Sequence, residues 1–322
     1  MKCTNVNPNT FLLCTNTVFL YLQPPTTGLR CCARLHSTLS IRALWGGYEW
    51  IIVSDGSTDN TAEVVEEIKR QTNIPIKFVN NRENRGKHAA WRDATRLFEG
   101  RYICCADDDD PISLDLLTVF DNYWRQLEQQ PDYDKFWEIR ARCQYEDGRL
   151  VGPELPKPWF DSDYNEVSFI LNKACEFDSC RKVEVLRAEA AVPDTFLYDG
   201  KCSNYCEAIR WSRAARKYKT RFVPDVLRTY VIGHESLCNS KKRHWTSKKA
   251  YNNLVSGVHG LNEYGDLERR YKPRAYLMKI LVTAYASIWA REPVLKHLNH
   301  WPDRLLTALA YLPAAGIYLF KR

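Results

Sequence analysis

Residues 49–110 alternate short apolar runs with amphipathic stretches, and two of the runs end in acidic turns. Glu49-Trp50-Ile51-Ile52-Val53-Ser54 reads as a strand running into the polar turn Asp55-Gly56-Ser57-Thr58-Asp59-Asn60. Thr61 to Arg70 carries Val64, Val65 and Ile68 on one helical face, with acids early and Lys69 and Arg70 late, the polarity a helix dipole favours. Ile76 to Val79 reads as a second strand, Lys87 to Phe98 as a second helix, and Arg101 to Ala106 as a third strand ending in Asp107-Asp108-Asp109-Asp110. Strands alternating with helices predict a doubly wound, mostly parallel sheet with helices on both faces. Ligands of such sheets bind beyond the carboxyl ends of the strands, and both acidic turns fall at that edge.

The chain has 322 residues, room for one large domain with an appendage. The expected division is a catalytic-type α/β domain over 1–240 and a helical C-terminal extension over 241–322. Residues 151–165 read as a loop and Glu207 to Lys217 as an amphipathic helix. Tyr276 to Ala290 is strongly apolar, as is Leu305 to Phe320, which is interrupted by Pro313. The last stretch falls short of the roughly 20 residues a bilayer span needs. Core packing of a terminal helix and docking at a membrane surface both stay open for it.

A formal charge of +7, from 46 basic and 39 acidic residues, suits anionic partners such as nucleotide diphosphates, acidic glycans or an anionic membrane surface. It is too small an excess for a nucleic-acid binder. The basic cluster Lys241 to His244 with Lys248 and Lys249 suits phosphates or lipid headgroups, and equally a solvated helix face. None of the twelve cysteines forms paired C-x-x-C knuckles, which argues against structural zinc. Cys104 and Cys105 read as small buried hydrophobes. The N-terminal residues do not read as a signal peptide, so the expected location is the cytoplasm with reduced thiols, peripheral association with the inner membrane face staying open.

Four adjacent carboxylates after a strand repel one another, and a divalent cation relieves that repulsion. Mg²⁺ or Mn²⁺ takes one or two carboxylates and fills its remaining positions with water and phosphate oxygens, so a cation at Asp107 to Asp110 would bridge to a diphosphate leaving group. The alternative is a solvated acidic turn ahead of a helix begun by Pro111 and Ser113. Asp55 suits hydrogen bonds from a base or ribose, although Ser57, Thr58 and Asp59 also suit a helix-capping turn. In Asn84-Arg85-Gly86-Lys87-His88-Ala89-Ala90, Gly86 permits close backbone approach, and Lys87 and His88 suit phosphate or base at a helix start.

These blocks, in this order, carry a family resemblance. Glu49 to Thr61 resembles the nucleotide-binding segment of family 2 glycosyltransferases, Asn84 to Ala90 their Asn-x-Gly-Lys-His-x-Ala block, and Ala106 to Asp110 their Asp-x-Asp region. The resemblance implies a GT-A-type fold. It also implies an inverting, metal-dependent transfer of sugar from a nucleotide-diphosphate donor, UDP above all, to an acceptor hydroxyl. Envelope polysaccharide or other glycan synthesis, on a glycan or lipid-linked acceptor, follows from the same analogy. It places Asp55 on the base, and Lys87, His88, Asp107 and Asp108 along the nucleotide sugar. Mg²⁺ or Mn²⁺ goes to Asp109, with Asp107 and His234 as further ligands. The blocks at 183–187, 207–211 and 217–223 resemble the acceptor side of a bacterial subgroup in which a helix-start carboxylate precedes a tryptophan by four positions. Here that carboxylate is Glu207, ahead of Trp211, and its implied role is general base.

Two departures stand against this pattern. Ser54 occupies a position where the family often has a second aspartate. After the apolar run Thr17 to Leu22, the family's Pro-Thr-Tyr-Asn-Arg-like turn is replaced by Gln23-Pro24-Pro25-Thr26-Thr27-Gly28-Leu29-Arg30. Suitable codons for that run, CAG CCA CCT ACA ACC GGG, read from the third base give Ala-Thr-Tyr-Asn-Arg, which suggests that residues 20–45 are translated out of frame. Two competing readings follow: a catalytically impaired donor-binding homologue, and a sugar nucleotidyltransferase. The second wants a glycine-rich phosphate loop after the first strand, which residues 20–47 do not supply.

Overall fold

The computed structural model describes residues 17–22, 49–71, 73, 75–83, 90–91, 94–107, 111–155, 157, 159–170, 176–191, 208–231 and 245–320. The chain divides into two compact units. The first comprises residues 1–163, 173–192 and 217–234, and the second 164–172, 193–216 and 235–322.

The first unit is built on eight described strands, β1 (Thr17–Leu22), β2 (Glu49–Asp55), β3 (Ile76–Asn81), β4 (Tyr102–Asp107), β5 (Phe136–Tyr145), β6 (Phe160–Ser162), β7 (Phe177–Lys182) and β8 (Lys219–Tyr230). They form one sheet in the order β3-β2-β1-β4-β7-β5-β8-β6. Every residue of β2 is buried. A strand rich in β-branched and aromatic residues and covered on both faces is what a parallel α/β sheet requires. On one face Trp50 and Ile52 pack with Val65 and Ile68 of helix α1 (Thr61–Gln71) and with Phe120 and Trp124 of α2 (Leu116–Glu128). Ile51 and Val53, which alternate with them, are fully buried on the other.

The expected parallel pairing holds for β3-β2-β1-β4 and again for β5-β8. β7 departs from it, running antiparallel to both neighbours, β4 and β5, and β6 runs antiparallel to β8. The β7 insertion brings Arg181 opposite Glu138 of β5. Glu138 is fully buried and accepts from Arg181 Nε at 2.7 Å, Arg140 Nε at 2.7 Å and Thr220 Oγ1 at 3.1 Å. Burial pushes its carboxyl up, but the two guanidinium groups outweigh burial and hold it below its ordinary value. A helix α3 (Val183–Ala191) follows β7 directly.

The second unit is helical where it is described, with α4 (Ala208–Ala215), α5 (Ser247–Tyr271), α6 (Pro273–Ala290) and α7 (Trp301–Phe320). Thr246 begins α5, its Oγ1 accepting the Lys249 N–H at 3.1 Å. Pro273 opens α6, where a missing N–H is tolerated, and Arg291 closes it in the left-handed conformation at φ 55°. α5 and α6 approach closely at Gly257, where a β-carbon would collide with the Thr283 side chain. α7 is anchored to α6 by Tyr276, which donates to Asp303 Oδ1 at 2.5 Å, and by the 2.6 Å hydrogen bond between the Ser287 and Tyr311 hydroxyls. Pro313 does not interrupt α7 as its residue type suggests. Leu309, the residue whose carbonyl loses a donor to it, is 60% exposed, so water is at hand.

Candidate active site

The carboxyl ends of β3, β2, β1 and β4 lie side by side because the four strands are parallel. Tyr21 of β1 is the register partner of both Val53 in β2 and Asp107 in β4. Asp107 therefore ends its strand one strand removed from β2, whose last residue, Asp55, lies two positions beyond Val53. Two acidic positions that are far apart in sequence thus meet at one sheet edge.

Asp55 is fully buried, and its Oδ1 accepts from Asn81 Nδ2 at 3.2 Å. Asn81 is also its register partner in β3, and the Asn81 carbonyl accepts the Gly56 N–H at 3.1 Å. Gly56 sits at φ 79°, a conformation that glycine adopts without the penalty a β-carbon brings, and the chain turns there out of the sheet. Asp59 accepts the Thr61 N–H at 3.1 Å and starts α1, so the capping role available to this turn falls to Asp59. Ser54, on the face opposite Asp55, is fully buried and donates to Ser57 Oγ at 2.9 Å. A carboxylate in its place would enter a fully enclosed position.

The strand expected over Arg101 to Ala106 is β4, and it delivers Asp107 to the edge. Asp108, Asp109, Lys87, His88, Glu207 and His234 lie outside the described residues, as does most of the segment 20–45. Among the described residues no group of three histidine, cysteine, aspartate or glutamate side chains is placed to hold a metal. The helix expected from Glu207 is α4, whose described part starts at Ala208 and buries Trp211 and Ala214. Cys104 is buried as expected, and burial together with Cys180 pushes its thiol up. Cys105 is half-buried. Burial raises the Cys143 thiol to about 11, so it stays protonated at neutral pH.

Asn81 escaped the sequence reading, although the pair Asn80-Asn81 at the end of an apolar run marked a polar strand end. Arg142, near the carboxyl end of β5, escaped it too. It is 5% exposed and its Nη2 donates to the Pro153 carbonyl at 3.3 Å.

Two kinds of likeness to known proteins bear on this edge. Over 67 residues the chain is 42% identical to a poly-β-1,6-N-acetyl-D-glucosamine synthase of Staphylococcus epidermidis, a match that spans 21% of this chain and only 16% of that relative. The corresponding synthase of Staphylococcus aureus is 40% identical over 67 residues, with the same coverage. Among solved structures, S. aureus TarS 1–349 in complex with UDP-GlcNAc superposes with a TM-score of 0.54 at 13% identity, covering 95% of this chain and 92% of that one. A longer S. aureus TarS structure gives a TM-score of 0.57 at 12% identity, covering 93% of this chain and 54% of that one. At such identities the likeness establishes the fold, which is that of GT-A glycosyltransferases. The model of glycosyl transferase family 2 matches residues 32–130, a span that holds Asp55, the Asn84 to Ala90 block and Asp107 to Asp110. Over residues 32–130, about a third of its length, the chain thus matches glycosyltransferase family 2.

Proposed function

We propose that this protein transfers a sugar from a UDP-sugar to an acceptor hydroxyl with inversion at the anomeric carbon. The observation that carries the reading is the placement of Asp55 and Asp107 at the carboxyl ends of β2 and β4, flanking β1 on one sheet edge. Asp55 binds the uracil or ribose, held by Asn81. Lys87, His88 and Asp108 line the donor. The acceptor is a glycan or lipid-linked hydroxyl of envelope polysaccharide synthesis. The names of the matched synthases and of the TarS complex make UDP-N-acetylglucosamine the first donor to test.

Carboxylates are the donor chemistry that Mg²⁺ or Mn²⁺ takes, and Asp107 and Asp109, with His234, would hold the ion. Such an ion supplies charge that stabilises a diphosphate leaving group. Glu207 takes the proton of the acceptor hydroxyl as its oxygen bonds to the anomeric carbon. The bond from that carbon to the diphosphate breaks in the same step. Residues 1–240 form the transferase domain and 241–322 its helical extension. The protein works in the cytoplasm, associated peripherally with the inner membrane face.

The test is a donor panel with Mn²⁺, following diphosphate release, with Asp109→Ala as control. Release from one donor that disappears in Asp109→Ala establishes the reading and names the sugar. Folded protein that binds no nucleotide sugar overturns it. Binding with no transfer to any glycan acceptor identifies a catalytically impaired homologue, a reading favoured by Gln23 to Arg30 standing where the family's nucleotide-contacting turn belongs.

A further inference from the structure

α7 presents an apolar side to solvent. Trp301, Leu305, Leu309, Leu312, Leu319 and Phe320 are each at least half exposed, Leu312 at 81% and Phe320 at 95%. Leu277 and Met278 of α6 are exposed as well, next in sequence to the Tyr276 that donates to Asp303 of α7. Apolar surface of this extent is uncommon on a protein that meets only water. The helix is not loosely placed. Asp303, Thr307 and Ala314 on its other side are buried, and Tyr318 packs edge-on against Trp289 at 5.3 Å. The apolar side is therefore held outward by the packing of the inward one.

Its surroundings are basic. Residues 272–322 carry eight lysines and arginines and two acids, Glu292 and Asp303. Asp303 is buried against Tyr276, so it adds little negative charge to the surface. Arg304 and Arg274 are exposed at the Trp301 end, and Lys321 and Arg322 follow Phe320 in the sequence. Among the described residues no helix is long and apolar enough to cross a membrane. An apolar face with exposed arginines at its Trp301 end and aromatic residues at both ends, in a segment of net positive charge, matches an anionic bilayer surface, into which such helices sink about 5–10 Å. A second copy of the chain fits less well, because its like-charged segment would be brought against this one.

We propose that α7, with the exposed start of α6, is a peripheral docking face for an anionic lipid bilayer. This deepens the membrane association proposed above by assigning it a surface and a lipid chemistry.

The test uses the full chain, without donor or acceptor, in flotation with vesicles of phosphatidylcholine alone or with about 30% phosphatidylglycerol. Binding is expected to the anionic vesicles and to weaken at about 0.5 M salt. Leu309→Asp/Leu312→Asp is expected to cut the partition coefficient at least tenfold with an unchanged thermal melt. The milder Leu312→Ser, on the same exposed side, gives a smaller loss and keeps the comparison sound if the double variant melts early. Arg274→Gln is expected to reduce the preference for anionic over neutral vesicles. Absence of binding to either vesicle overturns the proposal. So does self-association that Leu312→Ser abolishes without any vesicle binding, which would assign the face to a second copy. Donor binding by Leu309→Asp/Leu312→Asp, measured separately, keeps failure here distinct from failure of the sugar-transfer reading.

Discussion

Asn81 holds Asp55 twice over, its side-chain amide donating to the carboxylate at 3.2 Å while its carbonyl takes the N–H of the next residue, Gly56, at 3.1 Å. One residue of β3 thus sets both the carboxylate and the turn that follows it. Asn81→Ala removes the first of these contacts and leaves the backbone one. Hydrogen bonds to charged groups contribute about 1.5–3 kcal/mol, and water replaces part of that when the partner is lost. The expected outcome is a threefold to tenfold weaker affinity for UDP by calorimetry, near-normal turnover at saturating donor, and an unchanged fold. An equal fall in turnover with no change in affinity would place Asn81 outside donor binding.

Asp55 itself is predicted to matter more. Asp55→Asn keeps size and burial but replaces an acceptor oxygen with a donor that faces Asn81 and the nucleotide alike. UDP affinity is expected to fall by more than tenfold while the melting temperature changes little. A large fall in melting temperature with intact nucleotide binding would instead make Asp55 a structural residue of the β2–β3 edge.

Elsewhere in the sheet, Glu138 balances Arg140 and Arg181 in a buried triad. Breaking a buried ion pair by removing one partner costs about 3–5 kcal/mol, because the remaining charge stays buried without compensation. Glu138→Gln is therefore expected to destabilise the first unit by that amount in denaturant unfolding. Replacing all three members, as Glu138→Leu/Arg140→Met/Arg181→Met, is expected to recover most of the loss. A triple variant as unstable as Glu138→Gln would mean that the sheet needs the polar network itself.

The same residue gives a pH dependence of known sign. The folded carboxyl of Glu138 lies below its ordinary value of 4.5, so at acid pH the unfolded chain binds a proton that the folded chain refuses. The stabilisation is complete above pH 4.5 and is lost as pH falls through the folded value. The unfolding free energy of the native chain should therefore fall relative to that of the triple variant as pH is lowered below 4.5. A constant difference from pH 6 to 3 would show that Glu138 titrates alike in both states.

Parts of this molecule were legible in the sequence because local and global preferences agree there. The run from Glu49 to Gln71 has β-branched residues, a glycine at the turn, an aspartate ahead of the helix and charges ordered along its dipole, so strand, turn and helix follow one after another. Asp55 and Asp107 could be placed at one edge from strand direction alone. β7 was not legible. Phe177-Asp178-Ser179-Cys180-Arg181-Lys182 is too polar to read as a central strand, and pairing with Glu138 across the sheet helps make Arg181 tolerable inside. Glu138, Arg140 and Arg142 alternate with Ile139, Ala141 and Cys143 in the manner of a half-exposed strand, yet both sets are buried. Alternation reports which residues share a face and does not tell whether that face meets water. Asn81 was missed because its partner is 26 positions away and its residue type is common in turns.

In the helical unit, Gly257 of α5 lies where a β-carbon would collide with the Thr283 hydroxyl of α6. Thr283 is fully buried and its hydroxyl donates to the Lys279 carbonyl at 2.7 Å, so it has little room to move aside. In an exposed helix, glycine to alanine stabilises by about 1 kcal/mol. Here overpacking, which costs about 1–3 kcal/mol, wins over that gain. Gly257→Ala is expected to lower the melting temperature of the second unit. Gly257→Ala/Thr283→Ala, which clears the hydroxyl from the path of the new methyl group, is expected to recover the loss and allow the helix-propensity gain to appear. A thermal melt of the two variants beside the native chain decides the matter. Stabilisation by Gly257→Ala alone would mean that α5 and α6 can separate by the roughly 1 Å that a β-carbon 2.1 Å from the Thr283 hydroxyl demands, and that their close approach is not a requirement of this packing.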